Sequence, residues 1–269
     1  MDEVTLVPIK FLSDSGSGSS EGAIEAIDYA VKLGVDITSN SWGGGEFSQA
    51  LSDAILNASK AGIVFVAAAG NDSSSNDRSP HYPSSYDVPN VISVGGLTAQ
   101  NELAEWSNFG SSTVHIAAPG KNINSTINGN AYKVFSGTSM ATPHVAGVLG
   151  LLLAKEGRMS HADLKDRLMA TADYVPKLRG KVRKESGRIN AYNLLADIRP
   201  VKNYPKDSEW VDKAVETWES GHPYKENSSD TKTFSVPGAK YLRLKLKRYE
   251  LETGYDFLQV YSGDRKSVV

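Results

Sequence analysis

The 269-residue chain contains no cysteine, so no disulfide staples it. That absence leaves an extracellular location open, because a secreted fold with a sufficient core needs no such bridge. A surplus of charge is missing too. Twenty-nine basic residues stand against 31 acidic ones, for a net charge of −2, which gives no electrostatic footprint for nucleic acid or an anionic membrane surface. There is no long apolar run. The longest, VLGLLLA at 148–154, is too short to cross a bilayer. The opening MDEVTLVPIKFL lacks the basic start and apolar stretch of a signal peptide, and it enters a strand-like segment almost at once. The expectation is that part of the natural protein lies upstream. Histidines number only five, which restricts the choice of a proton acceptor.

Hydrophobic residues make up 40% of the chain, enough for a core, and the 24 glycines fit many tight turns. Residues 4–12 read as a strand that Pro8 interrupts or confines to an edge. Helical periodicity follows at 21–34, ending at Gly34, and at 48–62, with Ser48 as cap and Gly62 as stop. Apolar strands are expected at 35–42, 63–71, 90–96 and 113–120. The helix after TSMATP, running to about Glu156, is apolar almost all round and should be buried. Ser160 and Asp163 stand at capping-box spacing before a helix whose stripe is Leu164, Leu168 and Met169. Helices alternating with short apolar runs predict an α/β fold, a parallel sheet flanked by helices.

Texture changes near residue 200. Residues 232–263 alternate apolar and polar around VPGA and ETG turns, as antiparallel strands do. The expected organisation is a first domain over 1–198, a linker over 199–230 and a partial antiparallel β-sandwich module over 231–269. Three or four strands are fewer than a sandwich needs.

Candidate chemistry concentrates in GTSMATPHVAG at 137–147, where Ser139 stands at a strand-to-helix junction. Such a serine is exposed and held rigidly. The helix start offers free N–H groups and a positive dipole end, which favour a developing oxyanion. The plainer reading is that Thr138 or Ser139 only caps the helix. Asn71, directly after the apolar strand ending in AAAG, is by itself an ordinary turn residue, and Trp42 by itself a core residue. The glycines and small residues at 43–45 and 67–70 would let a peptide backbone approach closely.

Six blocks in order bear on the choice: SWGG at 41–44, AAAGN at 67–71, YPSSYDVPNVISVGG at 82–96, WSNFG at 106–110, IAAPG at 116–120 and GTSMATPHVAG at 137–147. Over about residues 4–195 the chain resembles the subtilisin-like serine peptidases. The resemblance implies Ser139 as the acyl-forming nucleophile and Asn71 as the side-chain donor to the oxyanion. It implies Ser41, Trp42 and Gly43 as the strand that pairs with an extended substrate, and Ala68, Ala69 and Gly70 as the opposite wall of the S1 pocket. It implies a polypeptide substrate, a secreted complete protein and a reaction that needs no cofactor.

A serine nucleophile needs a base held by a carboxylate. Five helical steps turn His144 about 140° away from Ser139, so it reads as structural. His81 and His115 read as surface residues, His161 lies in a first helical turn, and His222 lies in the linker. The family's D-[ST]-G and HGTHVAG blocks lie upstream of its VPIKFL-type strand, and neither stands in such a place here. Asp14-Ser15-Gly16 follows that strand and reads as a loop. In the family the aspartate strand sits between the VPIKFL-type strand and the one ending in NSWGG, so an incomplete, subtilisin-like sheet with a gap is expected. The chain alone is expected to be inactive, with the upstream part of the same protein as a further partner. The alternatives are a non-catalytic peptide-binding remnant and an accessory β-module protein.

LETGYDFLQVYSG at 251–263 resembles a CUB-like module, which implies calcium ligation by Glu252 and Asp256. The plainer reading makes both ordinary turn and edge residues. No metal site is expected in the peptidase part from the residues themselves, and structural calcium is left open.

Overall fold

The computed structural model describes residues 4–202 and Thr233. The first compact unit ends at Lys202. Most of the expected linker and the β-module, with His222, Glu252 and Asp256, lies outside the described residues.

The unit is built on four parallel strands, β1 (Ile37–Asn40), β2 (Val64–Ala68), β3 (Val91–Leu97) and β4 (Ile116–Pro119), in the order β1-β2-β3-β4. Every residue of β2 and β3 is buried, as expected of strands covered on both faces. The two-residue period of β2 divides the core. Val64 and Val66 face the cluster that holds Val145, Leu149, Leu164 and Leu168. Phe65 and Ala67 face the cluster that holds Ile27, Leu51 and Ile55. Helices α1 (Ser20–Leu33) and α2 (Gln49–Lys60) therefore cover one face, and α3 (Thr138–Glu156) and α4 (His161–Thr171) cover the other. A short helix, α5 (Ala191–Ala196), adds Leu194 to the cluster beneath α3 and α4.

The helix ends follow local chemistry. Ser19 Oγ accepts from Gly22 N–H and Ser48 Oγ from Leu51 N–H. Gly34 ends α1 at φ 68°, a left-handed conformation that glycine adopts without a Cβ clash. Ser160 Oγ accepts from Asp163 N–H and donates to Asp163 Oδ2 at 2.6 Å. The second contact replaces the return bond of a capping box, because aspartate is one methylene shorter than glutamate.

Three expectations need correction. Residues 4–12 form no strand. A strand exists through its neighbour's hydrogen bonds, and none lies beside this segment among the described residues. Leu6 is 83% exposed, while Phe11 anchors the segment edge-on to the Trp42 ring at 5.2 Å. On the sheet itself β1 pairs, among the described residues, only with β2 and lies at the edge. Second, α3 is not buried all round. Pro143, Gly147, Leu151 and Ala154 form an exposed stripe, with one face on the sheet and the opposite one outward. Third, the sequence reading passed over a hairpin, β5 (Ile123–Ile127) and β6 (Ala131–Phe135). Its turn, Asn128-Gly129-Asn130, carries positive φ at Gly129 and Asn130. The NG signal was present, but exposed strands show no apolar run to mark them.

Candidate active site

The first turn of α3 is reached through an extended Gly137, whose N–H donates to Gly120 O at 2.9 Å. Gly137, at the cap position, has no side chain to cap this helix. Neither Thr138 nor Ser139 is the cap, because both already lie within the helix. Thr138 instead turns its groups on Asn71. Its N–H and its hydroxyl both donate to Asn71 Oδ1, at 2.8 and 3.0 Å, and its Oγ1 accepts from Gly70 N–H at 3.2 Å. With Oδ1 holding two donors, the network fixes which way the amide faces. Asn71 Nδ2 is left beside Gly137, 3.6 Å from where a Cβ on that glycine would stand. Asn71 is exposed. The Ser139 N–H makes no hydrogen bond among the described residues, as the second amide of a helix whose carbonyl partner would lie four residues back. Two donors thus flank one small space at the positive end of a helix.

Pro143 contributes from within the helix. It has no N–H to give to the carbonyl four residues earlier. That carbonyl, of Ser139, accepts instead from Ser41 Oγ at 2.7 Å. In return Ser139 Oγ donates to Ser41 O at 3.2 Å. The helix start is so tied to the end of β1 across 98 residues of sequence.

A cavity of about 610 Å³ opens here. It brings together Ser41, Trp42, Gly43, Ala68, Gly70, Asn71 and Ser139, with Thr138, Glu46, Asp72, His81 and Tyr82 also in the lining. Ala69 is the exception among the expected wall residues, since it is fully buried behind the wall, in a cluster with Leu97 and Val114. The Trp42 ring is half-buried, edge-on to Phe11 and Phe65, with Nε1 donating to Asn40 Oδ1 at 3.3 Å.

Sequence reasoning missed Asn108 and Asn76, which hold the Asn71 loop. Asn108 Oδ1 accepts from Asp72 N–H (2.8 Å) and Ser74 N–H (3.2 Å), and its Nδ2 donates to Ala69 O and Asn76 Oδ1. Asn76 Nδ2 donates to the same Ala69 carbonyl at 2.8 Å. Both are 1% exposed. The WSNFG block pointed to Asn108, although it gave no reason for it.

The histidines sort differently from expectation. His81 is not a surface residue. It is half-buried in the cavity wall against Gly43 and Gly70. Burial lowers its pKa, and the charge of Asp72 opposes that shift. His115 is 6% exposed, with Nδ1 accepting from Ser93 N–H at 3.0 Å. Burial first, then Lys165 and Arg183, hold its pKa well below the usual histidine range. His144 Nδ1 donates to Met140 O at 2.8 Å, and the residue does not line the cavity. His161 Nε2 lies 3.2 Å from Ser59 Oγ. Among the described residues, no histidine or carboxylate hydrogen-bonds to Ser139 Oγ, no three His, Asp or Glu side chains converge as a metal site, and no helix is long and apolar enough to cross a membrane.

A serine hydroxyl, a side-chain amide and a free backbone N–H thus meet at a helix start, beside a cleft with glycine walls on a parallel α/β sheet. Comparison with known proteins narrows this. The model of the Subtilase family matches residues 1–209, and the chain belongs to that family. It is 40% identical over 171 residues to the subtilisin of Bacillus pumilus, covering 63% of this chain and 61% of that protein. Against subtilisin E of Bacillus subtilis (strain 168) it is 40% identical over 172 residues, covering 64% of this chain and 44% of the relative. A cold adapted subtilisin-like serine proteinase of known crystal structure superposes with a TM-score of 0.59 at 34% identity, covering 67% of this chain and 66% of that one. The chain spans about half the length of the curated subtilisins it matches.

Proposed function

We propose that the chain carries the nucleophile and oxyanion half of a serine endopeptidase of subtilisin type, acting on extended polypeptides. The observation that carries this is the pinned Asn71 amide beside the unpaired Ser139 N–H. In the complete site a histidine, held by a carboxylate, would take the Ser139 proton as Oγ attacks the scissile carbonyl. Asn71 Nδ2 and the Ser139 N–H would hold the oxyanion. The tetrahedral intermediate would expel the amine, protonated by the same base, and water would then hydrolyse the acyl-enzyme. Ser41–Gly43 and Ala68–Gly70 would line the substrate backbone and the P1 side chain. The chemistry needs no cofactor, and the complete enzyme would act outside the cell.

Ser139 Oγ donates a hydrogen bond to the Ser41 carbonyl, a neutral acceptor that cannot serve as the base. In this reading the base and its carboxylate are supplied by a polypeptide bearing the family's D-[ST]-G and HGTHVAG blocks, and the chain without it is inactive. The test is initial rates on casein and a fluorogenic peptide for the chain, for Ser139→Ala, and for both with an added polypeptide bearing the family's D-[ST]-G and HGTHVAG blocks. Ser139-dependent turnover is expected only with the addition. Turnover by the chain alone at about 1 s⁻¹ or above would refute the need for an outside base. The same parked hydroxyl favours a second reading, a non-catalytic peptide-binding remnant that uses the edge of β1 left unpaired among the described residues. It would bind peptides with or without the added segment and never cleave them.

A further inference from the structure

β4 joins β3 only from Val94 onward. Before that point side chains and a loop serve the edge of β3 in place of a strand. Lys165 Nζ, from α4, donates to Val91 O at 2.7 Å and to Pro89 O at 3.3 Å. His115 N–H donates to Ser93 O at 2.9 Å, and His115 Nδ1 accepts from Ser93 N–H at 3.0 Å. The segment 179–188 closes on the same corner. Arg183 N–H donates to Val114 O and Arg183 Nε to Ser112 O, each at 2.9 Å. Three side chains that can carry positive charge, from three separate stretches of sequence, thus meet at the start of β4. None of them lines the Ser139 cavity.

Like charges gain nothing by meeting there. The charges of Lys165 and Arg183 both disfavour a proton on His115, and that of Arg183 disfavours one on Lys165. The carboxylates that face the group are Asp87, which acts on Lys165, and Glu185, 3.8 Å from Arg183 Nη1. Both are exposed, and neither hydrogen-bonds to any of the three among the described residues. Donors remain unused. Lys165 Nζ gives two of its three N–H groups. Arg183 Nη2 makes no hydrogen bond among the described residues. With Nδ1 an acceptor, His115 carries its proton on Nε2, which also lacks a partner there and is not sealed from solvent. The imidazole itself is 6% exposed, so it is built into the fold and not laid on it.

We propose that this corner binds a doubly charged oxyanion of phosphate or sulfate type, held by Lys165 Nζ, Arg183 Nη2 and His115 Nε2–H. A tetrahedral oxyanion offers an acceptor to each of three donors arriving from different sides, and a guanidinium matches it closely. Its charge offsets the repulsion among the three. Arg179 and Lys184 are exposed and form no ion pair among the described residues, and they draw an anion toward the corner. Once bound, the ion ties α4 and the 179–188 segment to the start of β4. Its effect is therefore on stability, and the site does not depend on the peptidase reading of the cleft.

The test titrates inorganic phosphate, inorganic sulfate and tripolyphosphate into the full chain at about pH 7, with sodium chloride holding the ionic strength constant. The readouts are the melting temperature and the imidazole C–H resonances of His115. Phosphate or sulfate should raise the melting temperature to a plateau, with a dissociation constant of about 1 mM or tighter, and should shift the His115 resonances along the same curve. Arg183→Gln should weaken binding at least about tenfold, the scale of one charge-assisted hydrogen bond. His115→Asn keeps an acceptor for the Ser93 N–H and lacks Nε2, so it should do the same and serves if the first variant fails to fold. Tripolyphosphate binding at least about tenfold more tightly than phosphate would support the site with a phosphate chain as its ligand. Binding no tighter would support it with the free ion. A melting temperature that does not respond, or one that climbs without a plateau and equally in both variants, as under a general salt effect, would overturn the site.

Discussion

Acid should loosen this protein through His115 before it touches the carboxylates. The imidazole is 6% exposed, and its Nδ1 accepts from the Ser93 N–H at 3.0 Å. A proton on Nδ1 would face that N–H donor to donor, in a buried site with Lys165 and Arg183 nearby. The folded-state pKa therefore lies well below the ordinary value of 6.5. The sign follows from proton counting. Above about pH 6.5 neither state binds the proton, and full stability is present. Below it the unfolded chain takes the proton and the folded chain does not, so stability falls as pH falls, until the folded pKa is reached. At about pH 5.5 the unfolded state has gained a factor of about 11 from this group, which is on the order of 1 kcal/mol. Lys165 and Lys202, each lowered to about 8 by burial first, are still titrating at pH 8 and finish by about pH 6.5, so the His115 loss is read between pH 6.5 and 5.5. Asp77 and Glu156, with lowered pKa values, lose their contribution only at more acid pH. His81, lowered in the same direction, adds a smaller slope. The assay is urea unfolding at pH 8, 6.5 and 5.5 for the chain and for His115→Asn, whose amide oxygen takes the place of Nδ1 as acceptor. The substitution should flatten the acid loss by about 1 kcal/mol. An identical acid loss in both chains, or a His115 resonance that titrates near 6.5, would refute the reasoning.

Asn71→Ala, in the site completed with its outside base, should lower kcat by roughly 10²–10³ with KM little changed, because the amide acts on the oxyanion. A rise in KM at constant kcat would make Asn71 a substrate-binding residue instead. Gly187→Ala should lower the melting temperature by several degrees. A Cβ there would stand 2.0 Å from the Asp173 carbonyl, where Asp173 and Arg188 exchange backbone hydrogen bonds at 2.8 and 2.9 Å. Overpacking of this kind costs about 1–3 kcal/mol, and an unaltered melt would show that the two segments move apart freely. His144→Ala removes the bond to Met140 O, worth about 1 kcal/mol, and should leave kcat per titrated site unchanged in the completed enzyme. A large loss of kcat with an unaltered melt would give His144 a chemical role.

What the sequence determined is what neighbouring residues decide among themselves. Ser48, Ser160 and Gly34 mark helix ends because a cap hydroxyl reaches an amide within the same turn and a glycine tolerates positive φ. The apolar runs of β2 and β3 already specify strands buried on both faces. The ordered blocks from SWGG to GTSMATPHVAG pointed to residues that line the cleft, although the helix expected after TSMATP already begins at Thr138. Tertiary structure decided everything that depends on partners far away in sequence. Residues 4–12 have a strand's composition and no strand, because a strand is made by its neighbour and none is beside it among the described residues. The orientation of the Asn71 amide is set by Thr138, and the Ser139 carbonyl freed by Pro143 is claimed by Ser41, so neither could be read from either segment alone. His81 looked like a loop residue because nothing local marks it. Only the folding of its loop against Gly43 and Gly70 brings the ring into the cleft, since where a side chain ends up is set by the packing of the whole unit and not by its own stretch of chain.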